Sequence, residues 1–201
     1  DVASSPVQFG QVSRPGDIKY KDLNHDGVID SNDQAPIGYN PVPEMTFSLT
    51  AGLNWKGFDF SVLLQGATRS SIYLQGDIAW DNSWGNYFEE HIGRWTPETA
   101  ATATYPRFTK AATATHPNYY KSDYWLKDSK YLRLKNIQLG YTIPRKLLKK
   151  IGIRSLRVYT NAYNLLTWDN VKKVDPESPN NSNGQFYPQQ KVINFGINLN
   201  F

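Results

Sequence analysis

The sequence predicts an all-β chain that forms an antiparallel segment of a transmembrane β-barrel with long extracellular loops. Three stretches alternate strictly between apolar and polar residues, and long and short connections alternate between the predicted strands. Barrel strands alternate in this way because one face contacts lipid and the other faces the lumen. Barrel connections are short turns at one end and long loops at the other, which matches the second observation.

The first two predicted strands form a hairpin. From Met45 to Trp55 every odd position is apolar, and after Lys56 and Gly57 the pattern resumes with apolar residues at the even positions of 58–64. A period of two residues indicates a half-buried strand. Two residues between such strands are typical of a tight turn, so the sequence predicts a two-residue β-hairpin.

Two more strands are predicted in the second half of the chain. The stretch from Tyr131 to Ile143 alternates but changes phase near Asn136, which predicts a β-bulge at that point. Leu156 to Tyr163 alternates again. The segment between them, Pro144 to Gly152, is rich in Lys, Arg and Leu and predicts one helical turn. So short a connection favours antiparallel pairing.

The last predicted strand alternates up to the final residue, Phe201. An aromatic residue at that place resembles the C-terminal signal for barrel assembly, whereas the alternative is a core strand that happens to end the chain. The polar positions predicted to face the lumen are Thr46, Ser48, Asn194 and Asn198, and the apolar positions predicted to face lipid are Phe47, Leu49, Phe58, Phe60, Phe195, Ile197 and Leu199.

The composition excludes several function classes. The chain has 201 residues, a net charge of +4 and no cysteine, so it has no disulfide framework, Cys-ligated metal centre or cysteine nucleophile. Its histidines are dispersed and it contains no HExxH, GxSxG or glycine-rich phosphate motif, so no enzyme is expected. The basic residues are scattered apart from Arg145, Lys146, Lys149 and Lys150, and nucleic-acid binding requires a coherent basic face.

A calcium loop is predicted in the opening segment. Residues 22–33 place oxygen-bearing side chains at loop positions 1, 3, 5, 9 and 12, with Gly27 at position 6, as in an EF-hand-like loop. Asp33 stands where glutamate is usual, and its shorter side chain reaches less far. The alternative is an Asn/Asp-rich turn that holds no metal. The predicted ligands are Asp22, Asn24, Asp26, the Val28 carbonyl, Asp30 and Asp33.

The longest connection contains a group of aromatic residues that suit contact with a ligand or a partner protein. Tryptophan and tyrosine combine an apolar ring with a polar group, so they stack on sugars and are common in interfaces. The alternative is that they pack the loop against itself. The residues predicted for this contact are Trp80, Trp84, Trp95, Tyr119 and Tyr120, with Tyr87 beside them.

Four segments of the chain resemble the C-terminal part of the SusC/RagA family, the TonB-linked outer-membrane transporters of Bacteroidetes. They are 16–30 (GDIKYKDLNHDGVID), 93–98 (GRWTPE), 131–144 (YLRLKNIQLGYTIP) and 157–168 (RVYTNAYNLLTW). The resemblance implies a 22-stranded barrel, of which this chain supplies about the last five strands. Residues 1–44 would be an extracellular loop with the calcium site, and residues 45–201 would be barrel strands and loops. The plug domain, the TonB box and the earlier strands would lie outside this sequence.

The resemblance also implies partners and a sidedness. Members of the family work with a SusD-like surface lipoprotein, draw energy through TonB, and import glycans or, in the RagA branch, peptides. The C-terminus would be periplasmic, as would the turns at Lys56-Gly57 and Pro144–Gly152. From the residues alone, a secreted calcium-dependent glycan-binding β-module stays open as the alternative.

Overall fold

The computed structural model describes residues 2–81, 87–110, 116–172, 174–178 and 186–201. Nine strands and one short α-helix are assigned in this part of the chain, together with single turns of 3-10 helix. The 3-10 turns are Val2–Ser4, Gly76–Ile78, Glu89–Gly93, Pro117–Tyr119 and Lys149–Ile151. The other elements are β1 (Val7–Gln8), β2 (Val28–Ile29), β3 (Met45–Trp55), β4 (Phe58–Thr68), β5 (Ser71–Tyr73), β6 (Leu126–Asp128), β7 (Tyr131–Thr142), α1 (Arg145–Leu148), β8 (Ser155–Asp169) and β9 (Val192–Asn200).

The main structure is an antiparallel sheet of five long strands in the order β3-β4-β7-β8-β9. These are the five strands that the sequence predicts. The β3–β4 hairpin turns through Lys56 and Gly57, whose φ angles are 46° and 91°. Two positive φ angles are typical of the type I′ turn, whose twist matches that of the flanking strands. The predicted two-residue hairpin is confirmed.

The predicted bulge is also confirmed. Leu64 of β4 pairs with Leu134 of β7, and Leu63 pairs with Asn136, so Lys135 has no partner in the β4 register. The extra residue restores the phase of the strand, because it brings Leu134 and Ile137 onto the same face although they are three residues apart. The change of phase in the sequence therefore marks the bulge. The apolar face of β7 continues without interruption on both sides of it.

Strand β8 is longer than its alternating stretch. The pattern stops at Tyr163, but the strand continues to Asp169. Asn164 has a φ of 50°, and the β7 register moves from Tyr163 directly to Leu166. The alternation of apolar and polar residues is lost at this irregularity. The sequence pattern therefore does not predict that the strand continues beyond it. The short connection before β8 contains α1 and a 3-10 turn, as predicted.

The sheet has one apolar and one polar face. One row of paired residues runs from Leu53 through Phe60, Leu139 and Thr160 to Phe195, and a neighbouring row of the other face runs through Gln138, Asn161 and Asn194. The apolar face is open, and Phe195 is 83% exposed. The two predicted sets of residues lie on opposite faces. Their contact with lipid and lumen stays a prediction.

The chain forms two compact units, which are described separately. The sheet unit contains the five long strands. The loop unit contains, among the described residues, those within Asp1–Gly38 and Tyr73–Lys127, so the opening segment packs with the longest connection. Strands β1 and β2 pair in parallel in this unit. In the described ranges, no helix has both the length and the apolar character needed to cross a membrane. The core of the loop unit contains the buried side chains Ile29, Leu74, Tyr105, Tyr119 and Trp125.

Candidate functional site

A buried cation occupies the polar face of the sheet near the ends that carry the long loops. Arg133 of β7 is 2% exposed. Its Nη2 donates to Asp175 Oδ1 at 2.9 Å, its Nη1 donates to Glu177 Oε2 at 2.5 Å, and its Nε donates to Thr167 Oγ1 at 3.0 Å. Charge-assisted hydrogen bonds of this kind are stronger than neutral ones. Arg133, Asp175 and Glu177 are called the Arg133 cluster below.

The Arg133 cluster fastens the connection after β8 to the sheet. The Tyr131 hydroxyl donates to Glu177 Oε1 at 2.7 Å, and Lys135 Nζ approaches Glu177 Oε2 at 3.4 Å. Burial alone would raise the pKa of Asp175, but the Glu177 backbone N–H and the Arg133 guanidinium hold that pKa below its ordinary value. The segment 174–178 therefore lies against the polar face and is held there by charge.

A second ion pair lies near the opposite ends of the same strands. Arg157 of β8 donates to both oxygens of Asp59 in β4, with Nε to Oδ1 at 2.9 Å and Nη2 to Oδ2 at 2.5 Å. Gly140 lies between them on β7, and any side chain at this position would overlap the Asp59 carboxylate. The polar face thus combines amide and hydroxyl groups with ion pairs at both ends, as expected for a surface in contact with water.

The predicted calcium loop is a series of turns capped by its own carboxylates. Asp22 accepts from the His25 N–H at 2.6 Å and from the Gly27 N–H at 2.9 Å, and Asp33 accepts from the Leu23 N–H at 2.7 Å. Gly27 has a φ of 83°, which suits the sharp turn that position 6 of such a loop requires. Backbone hydrogen bonds from Asp30 and Leu23 lower the pKa of Asp33, so its charged form is favoured.

The carboxylates of this loop are not gathered around one point. Among the residues that the structure describes, no group of three or more His, Cys, Asp and Glu side chains could hold a metal ion as it stands. The predicted ligand set includes the Asn24 amide and the Val28 carbonyl in addition to carboxylates. The turn geometry fits a calcium loop. The ligand side chains would have to move toward one point when the ion binds. Calcium binding stays a prediction.

The aromatic residues of the longest connection are mostly packed within the loop unit. Tyr119 is 3% exposed, so its ring is not available at the surface and the alternative reading, packing within the loop, holds for it. Trp80 lies 5.0 Å from the Tyr119 ring, and Tyr120 packs edge-on against Phe9 at 4.2 Å. Trp95 packs over the backbone of Gly16. Trp80, Trp95 and Tyr120 are half-buried, whereas Trp84 lies outside the described residues.

The core of the loop unit contains a carboxyl group that the sequence does not reveal. Asp81 is fully buried and accepts from the Thr109 N–H at 2.9 Å and from the Tyr119 hydroxyl. Burial raises the pKa of Asp81 above its ordinary value, against the effect of the Thr109 hydrogen bond. Its partners follow 28 and 38 residues later in a segment without periodicity. Nothing in the local pattern distinguishes Asp81 from the neighbouring acids.

Replacing Asp81 with asparagine is expected to remove a pH dependence from the loop unit. The raised pKa means that the folded unit holds the Asp81 proton more tightly than the unfolded chain does. This stabilisation is complete below the ordinary value of 3.8 and is lost as the pH rises through the folded pKa. The measurement is amide hydrogen exchange of residues 105–109, corrected for intrinsic exchange rates. In the parent, the free energy of local opening should fall as the pH rises. In Asp81→Asn, it should change less over the same pH range.

The matched control is Asp77→Asn, a half-exposed carboxyl of the same unit. It should follow the pH dependence of the parent. An Asp81→Asn protein with the same pH dependence as the parent would show that the buried carboxyl is not its source.

No protein-family model matches the chain. The chain is 30% identical over 202 residues to TonB-dependent receptor P26 of Formosa agariphila, covering 92% of this chain and 20% of that receptor. It is 25% identical over 200 residues to TonB-dependent receptor SusC of Bacteroides thetaiotaomicron, covering 96% of this chain and 18% of that receptor. The chain therefore spans about a fifth of the length of the curated relatives it matches.

Solved structures show the same fold. The RagAB peptide importer in its open-open state matches with a TM-score of 0.67 and 24% identity, covering 87% of this chain and 19% of that chain. Its closed-closed state matches with a TM-score of 0.67 and 23% identity, covering 89% of this chain and 20% of that chain.

The two-faced antiparallel sheet and its long loops define the class of the chain, a segment of an outer-membrane β-barrel. The sequence relatives are TonB-dependent receptors, SusC among them, and the chain has the fold of part of RagAB. These similarities support the expectation of a SusC/RagA-like C-terminal segment. These relatives are receptors and not enzymes, in agreement with the expectation that the chain is not an enzyme. Phe201, which ends the chain beyond β9, is 76% exposed, and its role in barrel assembly stays a prediction.

Proposed function

We propose that this chain forms one wall and the adjoining loops of a receptor that imports nutrients across the outer membrane with energy from TonB. The observation that carries the proposal is the five-stranded sheet, whose apolar face is open and whose polar face carries fixed ion pairs. A soluble domain would cover such an apolar face. The similarity to TonB-dependent receptors supports this reading over a secreted glycan-binding module.

We propose glycans as the imported nutrients, with peptides as the second class. The SusC relative supports the general activity, and the RagAB neighbours are named as peptide importers. The polar face offers amides and hydroxyls, such as the Asn194 and Asn161 pair at 2.9 Å, which suit sugar hydroxyls and peptide bonds alike.

The test is uptake by cells that express the full-length receptor containing this chain. Labelled oligosaccharides and labelled peptides are supplied separately, with and without a functional TonB protein. The proposal expects TonB-dependent uptake of one class. Uptake that is equal without TonB, or a full-length protein that stays soluble without detergent, would contradict it.

A SusD-like lipoprotein is the proposed partner at the long-loop ends of the strands. Long extracellular loops surround the mouth of a barrel, and the loop unit is built from two of the long segments. Half-exposed rings of the loop unit, such as Trp80 and Trp95, suit contact with a partner protein. Co-purification of the full-length receptor with a surface lipoprotein from the cells that produce it tests the proposal. A receptor purified under mild conditions without any lipoprotein would count against it.

Calcium is proposed as a structural ion of the opening loop. The spacing of oxygen ligands and the left-handed Gly27 support it. Asp26→Ala should lower the calcium content of the purified receptor by one ion and make residues 20–40 more sensitive to protease. Asn32→Ala, a change at a loop position that supplies no ligand, is the matched control. Equal calcium content in all three proteins would remove the ion from the proposal.

A further inference from the structure

The connection between β7 and β8 is a concentrated basic segment. Residues 143–156 contain five cations and no acid, in the sequence IPRKLLKKIGIRSL. The side chains of Arg145, Lys146, Lys149 and Lys150 are exposed. Within the described ranges, the salt bridges of the chain involve none of these four residues. The segment therefore presents uncompensated positive charge.

Two apolar side chains are exposed among these charges. Leu147 is 69% exposed and Ile151 is 65% exposed, although both are large hydrophobic residues. Leu147 belongs to α1 and Ile151 ends the 3-10 turn that follows it, so both exposed side chains lie within the same short connection. Leu148 between them is 4% exposed and fixes the turn to its own unit. A turn with exposed leucine and isoleucine flanked by four cations has the composition of a membrane-surface element.

The position of the turn agrees with this composition. Trp55, Phe58 and Tyr141 form one row across β3, β4 and β7 on the apolar face, and the Phe58 and Tyr141 rings are 4.5 Å apart. Lys56 Nζ lies 4.9 Å from the centre of the Trp55 ring. Rings and lysines at one end of an apolar strand face mark the membrane–water interface. The basic turn begins just beyond Tyr141, and so it continues the apolar face into the headgroup region.

We propose that residues 144–151 form a docking site for the headgroups of anionic phospholipids. The inference rests on the proposed function, because short barrel connections lie on the periplasmic side, where the leaflet is phospholipid. Leu147 and Ile151 enter the upper acyl region, and the four cations bind lipid phosphates and neutralise their charge. The turn thereby anchors this edge of the barrel to the leaflet.

The first experiment measures lipid dependence. The full-length receptor containing this chain is placed in bilayer discs of phosphatidylethanolamine alone or with phosphatidylglycerol, and its melting temperature is recorded. The parent should be more stable with phosphatidylglycerol, and a variant with all four cations changed to glutamine should lose at least half of that gain. The matched control changes Lys19, Lys21, Lys172 and Lys191, four exposed lysines outside the turn, and should keep the gain. Equal losses in the two variants would overturn the proposal.

The second experiment measures depth. This chain has no cysteine. Once any cysteines elsewhere in the full-length receptor have been replaced, a single fluorescent label can be attached at Ile151→Cys or at Ile197→Cys. Brominated phospholipids should quench both labels. Quenching at position 197 alone would overturn the docking site and leave the barrel intact, whereas quenching at neither position would contradict the proposed function itself. Stabilisation by lipopolysaccharide but not by phosphatidylglycerol would also overturn the proposal, because it would assign the turn to the other leaflet.

Discussion

Arg133→Met is expected to lower the free energy of unfolding of the barrel by about 3–5 kcal/mol, toward the lower end of this range. The substitution leaves the buried Asp175 and the three-quarters buried Glu177 without their main cation. Removing one partner of a buried ion pair costs more than the pair contributes, because the remaining charge stays desolvated. The contact of Lys135 with Glu177 and the partial exposure of Glu177 reduce the cost.

The measurement is the denaturant concentration needed to unfold the full-length receptor in detergent, followed by loss of β-sheet circular dichroism. Lys172→Met, at an exposed site, is the control for loss of a positive charge and should leave the midpoint nearly unchanged. A second variant, Arg133→Met with Asp175→Leu and Glu177→Met, removes all three charges and should recover most of the loss. If the single and triple variants are equally unstable, packing and not charge is the source of the effect.

The Arg133 cluster also shows where sequence reasoning ends. Alternation in β7 places Arg133 on the polar face, and that much can be inferred from its neighbours Leu132 and Leu134. Its acidic partners lie 42 and 44 residues further on, in a connection that has no periodicity. Alternation reports which side of a strand is apolar, and this is a local property. The contact between a loop and a distant strand depends on tertiary packing. A local sequence pattern gives no information about such packing.

The same distinction applies to the loop unit. The strands, the hairpin turn and the bulge follow from residue types at short spacing. By contrast, Asp17 meets Arg107 across 90 residues, and the Asn118 side chain accepts from the Ile18 N–H across 100 residues. Neither segment alternates, so both read as open loops in the sequence. Their polar side chains satisfy one another in the structure, and this is why an irregular segment can form a compact unit.

The two ion pairs of the polar face give the sheet a defined register at both ends. The Arg133 cluster fixes a loop to β7 near the long-loop end, and Arg157 with Asp59 spans β4 and β8 near the short-turn end. A slip of one residue would carry these charges onto the apolar face. The ion pairs therefore disfavour wrong registers in addition to any contribution to stability, and this matters for a sheet that contains a bulge.

Ile197→Arg is expected to cost about 2–4 kcal/mol, as a cation near the middle of a lipid-facing strand does. Ile197 follows the central residue of the nine-residue β9 and is 69% exposed on the apolar face. Its register neighbours Val158 and Tyr141 lie at other depths, because barrel strands tilt by about 35–45°. The measurement is again the denaturation midpoint, together with the yield of folded barrel in the outer membrane.

The control is an arginine on the polar face of the same strand. Asn198 is predicted to face the lumen, but the register places it opposite Arg157, so two like charges would face each other in Asn198→Arg. Asn194 lies opposite Asn161, and Asn194→Arg is therefore the cleaner control. It should leave the free energy of unfolding within about 1 kcal/mol of the parent, since a charge on this face stays in water. An equal cost for Ile197→Arg and Asn194→Arg would contradict the assignment of the two faces, and a larger cost for Asn194→Arg would reverse it.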